Sequence, residues 1–195
     1  MNDRHPDLDP AGVALLNALG AVHSEHLDLP TPCRDWPVSV LIAHLDELTK
    51  AFADSAAREF GPWTDNPPAE REFVLAQGWS TRLPRHVQEL VLAWHAPGVW
   101  DGETRIGGVD QPAEQVGLAA LTEVVLHGWD LSRAIGVPYE PDEATARAVL
   151  DYLESLGDAR EGAYGPAVPL PDDLTPEADT LDRALALSGR SPDWS

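Results

Sequence analysis

The chain has 195 residues, enough for one domain with a full core, and its 43% hydrophobic content is ordinary for a globular protein. Aspartate and glutamate outnumber lysine and arginine 33 to 13, a formal charge of −20, and a surface this acidic repels nucleic acid and anionic membranes. No apolar run is long enough to span a bilayer, the N-terminus lacks a signal-peptide profile, and the expected compartment is the cytoplasm. The single cysteine, Cys33, excludes an internal disulfide framework and a cysteine-based structural zinc site.

Asp9-Pro10 reads as an N-cap followed by proline in the first turn, and Val13, Leu16 and Leu19 continue a helical stripe to about His26. Three prolines between Leu29 and Pro37 rule out helix there, so Trp36 lies in a structured connection, pinned against the core. Val38, Leu41, Ile42, Leu45, Leu48 and Phe52 then share one face of a second helix running to about Phe60. His44 lies at the flank of that face and is directed inward. Residues 61–80 contain Gly61-Pro62 and Asn66-Pro67-Pro68 and read as a long loop. With Trp63, Phe73 and Trp79 in it, that loop is a candidate cover for a site opening.

Val87, Leu90, Val91 and Trp94 give a third helix stopped by Pro97-Gly98, and the glycine-rich segment from Trp100 to Asp110 reads as a loop or short extended piece. A fourth helix runs from Pro112 to about Ile135 and ends at Gly136-Val137-Pro138. Asp142 opens a fifth, with Val149, Tyr152, Leu153 and Leu156 on one face. The tail from Tyr164 to Pro171 must be extended, and Leu181 and Leu185 mark a short final helix that folds back. Long amphipathic helices with few strand signals predict an all-α bundle. The expected division is a helical bundle over residues 1–160 and an extended tail with a short helix over 161–195, packed as one domain.

Within the fourth helix, residues 118–131 are apolar on nearly every side, the pattern of a buried element. Glu123 and His127 sit inside it four residues apart, on one face, with Asp130 seven residues after Glu123. Burying a carboxylate and an imidazole costs free energy unless something pairs with them. A metal ion would do so, with His44 as third ligand. Two imidazoles and one carboxylate leave coordination positions open, as in catalytic zinc, and the same donors can hold iron or nickel. Asp130 would orient a ligand histidine or simply reach solvent. The bland alternative is a solvated Glu–His pair and a satisfied core histidine; the apolar setting of both segments favours metal.

The other candidates carry less. His5, His23, His26, His86 and His95 sit near ends or on polar faces, which places them at the surface. Cys33 has only Arg34 as a nearby cation in sequence and reads as a packing residue rather than a reactive thiol. Trp129 points away from the Glu123/His127 face and reads as packing. No phosphate-binding loop, dinucleotide fingerprint or nucleophile elbow is present.

Thr31-Pro32-Cys33-Arg34-Asp35-Trp36-Pro37-Val38, with Leu41-Ile42-Ala43-His44-Leu45, resembles the opening motif of the mycothiol-dependent maleylpyruvate isomerase-like proteins, which are DinB-like metal-binding four-helix bundles. The segment from Glu123 to Leu131 is similar to that family's second motif. Tyr164 to Pro169, Leu181-Asp182-Arg183 and Leu187-Ser188-Gly189-Arg190 are similar to the tail of a bacterial subfamily. The resemblance implies a DinB-like bundle with an additional helix and a divalent metal, usually zinc, on His44, Glu123 and His127. It also implies mycothiol as cosubstrate, with the metal making a thiolate available at neutral pH.

Two departures stand out. The isomerase has a further C-terminal domain that contributes to its active site, where this chain has a short tail, which argues against isomerase activity as such. Pro37 stands where the family often has a capping serine or threonine. The function expected is therefore a metal-dependent, mycothiol-using thiol transferase or isomerase-like enzyme acting on a small electrophile. The alternative is a non-catalytic metal-binding or sensing bundle, and after it a helical interaction protein without metal. A homodimer would need an exposed apolar helix face, which the sequence does not locate.

Overall fold

The computed structural model describes residues 5–33, 35–66, 72–170 and 179–194. Arg34, the Pro67-Pro68 part of the long connection and Pro171 of the tail lie outside the described residues. The fold is all-α, as expected. Helix α1 spans Asp9–Gly20, α2 Val38–Ala57, α3 Pro62–Asp65 and α4 Trp79–Trp94. A hairpin of β1 (Glu103–Ile106) and β2 (Val109–Pro112) leads into α5 (Ala113–Ile135). Then come α6 (Glu143–Ser155), α7 (Ala159–Tyr164) and α8 (Thr180–Leu187).

Helices α1, α2, α4 and α5 form the bundle, with α1 and α2 each packed against both α4 and α5. Leu15, Leu41, Ile42, Leu45, Leu83, Leu90 and Leu121 are buried in one core. Outside α5 lies a further layer, α6 packed on α5 and α8 on α6. This explains why α5 is apolar all round: it has the bundle core on one side and Leu185 of α8 against Leu126 and Trp129 on the other.

Helix α1 stops six residues before the expected His26, and the chain re-forms only a 3₁₀ turn at Ser24–His26. Its start is not capped by Asp9; Leu8 occupies the cap position, and the Asp9 N–H donates to Asp7 Oδ1 at 2.8 Å. Helix α2 ends at Ala57 rather than Phe60, because Arg58 turns left-handed (φ 58°) and donates to the Asp101 carbonyl at 2.6 Å, tying the helix end to the hairpin. Residues 62–65 of the expected loop are helical, and the short extended piece is the antiparallel hairpin itself, turning at Gly107-Gly108 with φ 60° and 79°. Gly108 also lies so close to α3 that a Cβ there would meet the Asp65 carbonyl oxygen at 2.6 Å. Tyr164, expected extended, closes α7 instead.

Pro37 offers α2 no side-chain cap, yet the first turn is satisfied by main chain. The Val38 N–H donates to Leu29 O at 3.0 Å and the Ser39 N–H to Leu27 O at 2.9 Å. The Thr31 hydroxyl holds the same connection by donating to Trp36 O at 2.8 Å and Cys33 O at 3.0 Å. That fixes Cys33 and Trp36 beside the N-terminal half of α2.

Gly128 sets the spacing between α5 and the segment after it. A Cβ at this position would lie 2.7 Å from Tyr139 Oη and 2.8 Å from Tyr139 Cε2. Gly128→Ala is expected to destabilise the fold by about 1–3 kcal/mol through overpacking, despite alanine's better helix propensity. Urea unfolding measures it, and a variant as stable as wild type would show that the Tyr139 ring yields freely.

Candidate metal centre

Three segments supply the polar side chains of the site. Helix α2 carries His44, α5 carries Glu123, His127 and Asp130, and the chain after α8 brings Arg190 back to α5. His127 Nε2 lies 3.1 Å from Glu123 Oε2, and His44 Nε2 lies 3.6 Å from the same oxygen. One donor atom from each of His44, Glu123 and His127 falls within 4.8 Å of the others. The two imidazoles meet nearly at right angles, with centroids 4.8 Å apart. Trp36 packs on His44 at 4.9 Å, and Phe73 meets the His44 ring edge-on at 4.8 Å.

Behind this cluster lies a buried relay. His127 Nδ1 is 2.9 Å from Asp130 Oδ2. Arg190 donates to both Asp130 oxygens, Nε to Oδ1 at 2.9 Å and Nη2 to Oδ2 at 2.8 Å. A carboxylate held by arginine only accepts, so His127 Nδ1 carries the proton. His127 Nε2 must then either bear a second proton or present a lone pair toward the Glu123 carboxylate. A cation, H⁺ or metal, belongs between them.

The electrostatics follow from this arrangement. Burial works against charge on His127, but the hydrogen bonds to Asp130 and Glu123 outweigh it and raise its pKa. For Glu123 burial is outweighed by the two histidines, and the carboxyl is held far below its usual range. Burial lowers His44, with the neighbouring His127 adding to the effect. Asp130 is lowered: burial opposes its charge, and Arg190 more than compensates. Burial and the Asp130 charge push the Cys33 thiol up to about 12, so it is a neutral thiol beside His127.

A cavity of about 550 Å³ opens on the cluster and is lined by His44, Glu123, His127, Cys33 and Arg190 together with apolar side chains. Trp63 and Phe73, from the connection expected to cover a site, line it too.

The structure thus brings His44, Glu123 and His127 together. Asp130 does not reach solvent but is fully buried against His127 and Arg190. Trp129 packs away from the site with Leu126 and Leu185. Two histidines expected at the surface are not there. His86 is buried with Nδ1 2.9 Å from Asp46 Oδ1, because Asp46 of α2 and Arg82 form an ion pair inside the α2–α4 contact. His5 stacks on Trp100 at 4.8 Å and keeps only 10% of its side chain exposed. Sequence reasoning missed Arg190 as a site residue. A carboxylate in an otherwise apolar helix asks for a counter-charge, but with twelve arginines in the chain nothing local in the sequence says which one supplies it.

A helical bundle with this cluster at its centre is a DinB-like four-helix bundle. The family of the mycothiol maleylpyruvate isomerase N-terminal domain matches residues 8–132, and the chain belongs to it. It is similar to an uncharacterized protein of Mycobacterium tuberculosis, found in two strains, with 26% identity over 183 residues that cover 89% of this chain and 90% of that one. Its fold is that of the crystal structure of the mycothiol-dependent maleylpyruvate isomerase, at TM-score 0.57 and 20% identity over 75% of this chain and 68% of that one. A mutant of that isomerase aligns at TM-score 0.56 and 16% identity, over 86% of this chain and 75% of the other. No helix among the described residues is long and apolar enough to cross a membrane.

Proposed function

We propose that this protein is a metal-dependent thiol transferase or isomerase-like enzyme that uses mycothiol and a small electrophile. His44, Glu123 and His127 would hold a divalent ion, zinc in the first place, with nickel and iron compatible with the same donors. The observation that carries the reading is the convergence of two imidazole Nε2 atoms on one carboxylate oxygen at 3.1 and 3.6 Å, in the wall of a cavity. The donor set fits an ion: the His127 proton is committed to Asp130, which leaves Nε2 to donate its lone pair. When bound, the ion would lower the pKa of a thiol placed against it, making the nucleophile available at neutral pH.

The chain's own residues do the rest. Asp130 Oδ2 fixes the tautomer and the plane of the His127 ring. Trp36 and Phe73 cover the histidines and limit access of water. The cavity gives thiol and electrophile a common volume. It also speaks against the alternative of a metal-binding or sensing module with a closed site, which needs no space beside the ion.

Elemental analysis of wild type and His44→Ala, purified identically, tests the metal. About one ion per chain in wild type and a strong loss in the variant are expected. Mycothiol consumption with an electrophile panel then tests turnover. Metal without thiol consumption would leave the sensing module, and no metal in wild type would end both.

A further inference from the structure

Resting on the metal reading of the site, we infer that Arg190 is a positioning residue for the metal ligand His127, so that zinc binding and docking of the tail strengthen each other. An ion needs the Nε2 lone pair of His127 aimed at one point, which requires the plane of the ring to be fixed. His44 is held by ring packing against Trp36 and Phe73. His127 depends on the hydrogen bond from Nδ1 to Asp130 Oδ2 at 2.9 Å. An aspartate can turn about both side-chain bonds, so that oxygen keeps its place best when the carboxylate is tied down elsewhere. Arg190 does this from outside the helix, donating through Nε to Oδ1 at 2.9 Å and through Nη2 to Oδ2 at 2.8 Å. Its Nη1 donates to the Ser188 carbonyl of its own tail at 3.0 Å. A planar fork of this kind fixes direction as well as charge. Arg190 lies beyond residues 8–132, the part of the chain that the family matches, so the tail completes the geometry of a ligand inside that part.

The same tail builds part of the cavity. Residues 163–166 and 188–190 line it together with the two histidines. These two stretches are pressed against each other: a Cβ on Gly189, at φ 79°, would lie 2.9 Å from the Pro166 carbonyl oxygen. The Val168 N–H also donates to Ala186 O at 2.9 Å. Both stretches are therefore held by whatever holds Arg190. An ion that binds better when the tail is docked favours docking by the same factor by which docking favours the ion. Metal loading thus secures the wall beside which thiol and electrophile meet.

The test needs no turnover. Zinc affinity of the full-length protein is measured by competition with a chromophoric chelator, and amide exchange in α8 is followed with and without zinc. Arg190→Met is expected to lose about 10–100-fold in zinc affinity, the cost typical of removing a group that orients a ligand. Arg190→Lys keeps the charge without the fork and is expected to recover only part of that loss. Leu185→Ala loosens the same tail where it packs on Leu126 and Trp129 but leaves Arg190 on Asp130, and it is expected to bind zinc as wild type does. In wild type, saturating zinc is expected to slow exchange in α8 more than in α1, by about the factor that Arg190→Met loses in affinity. An Arg190→Met protein that binds zinc as tightly as wild type overturns the inference, as does a Leu185→Ala loss of equal size, which would make the effect one of stability alone. Wild-type exchange in α8 that zinc does not slow overturns it too, and decides the matter if Arg190→Met does not fold. A wild type that binds no zinc ends the metal reading and this inference together, whereas tight zinc binding insensitive to Arg190 ends the inference alone.

Discussion

Arg190→Met is expected to lower the free energy of unfolding by about 3–5 kcal/mol, the range for removing one partner of a buried ion pair. The basis is the two-point contact of the guanidinium with Asp130, at 2.9 and 2.8 Å, with the Asp130 side chain at 0% exposure. Without Arg190 the carboxylate keeps only His127 as a partner. Asp130→Asn with Arg190→Met removes both charges, and the double variant is expected to be less destabilised than the sum of the single ones. Urea unfolding of the four proteins gives the coupling energy. An Arg190→Met loss under about 1 kcal/mol, the range of an exposed pair, would mean that the chain after α8 is only loosely held on α5.

The second large effect concerns Glu123→Gln. Its carboxylate oxygen faces both imidazoles, so glutamine in its place leaves a weaker, neutral amide oxygen and removes the only negative charge among the three. Zinc affinity is expected to fall more than about 100-fold, beyond the loss typical of residues that merely orient a ligand. The consequence for stability follows by mass action: an ion at 1,000 times its Kd stabilises by about 4 kcal/mol, and at 10 times by about 1.4 kcal/mol. Wild type should therefore show a large rise in Tm on adding zinc, and Glu123→Gln a much smaller one. Equal shifts in both proteins would place the ion elsewhere.

The local part of the site was legible in the sequence. Glu123 and His127 are one helical turn apart in a segment with no other polar purpose, and His44 lies on the flank of an apolar stripe, so both helices announced an inward polar face. What the sequence withheld were contacts across long separations. Arg190 reaches Asp130 over 60 residues, and no periodicity encodes where a tail returns. His86 lay on what seemed a polar face of its helix, but that face meets Asp46 and Arg82, so its burial depends on a partner in another helix. The bundle was legible because amphipathic stripes report burial directly. Helix ends were less so: Asp9 has the side chain of a cap, but the acceptor at that end is Asp7.

The Asp130–Arg190 contact also bears on the order in which the molecule assembles. The bundle helices α1, α2, α4 and α5 can gather around their apolar core before the tail has any role. Joining residue 190 to residue 130 requires closing a chain segment of 60 residues, at a cost in loop entropy that only a nearly finished surface repays. The relay behind His127 is therefore expected to lock late in folding, so that a refolding chain acquires its hydrophobic core first and the fixed orientation of its histidine last.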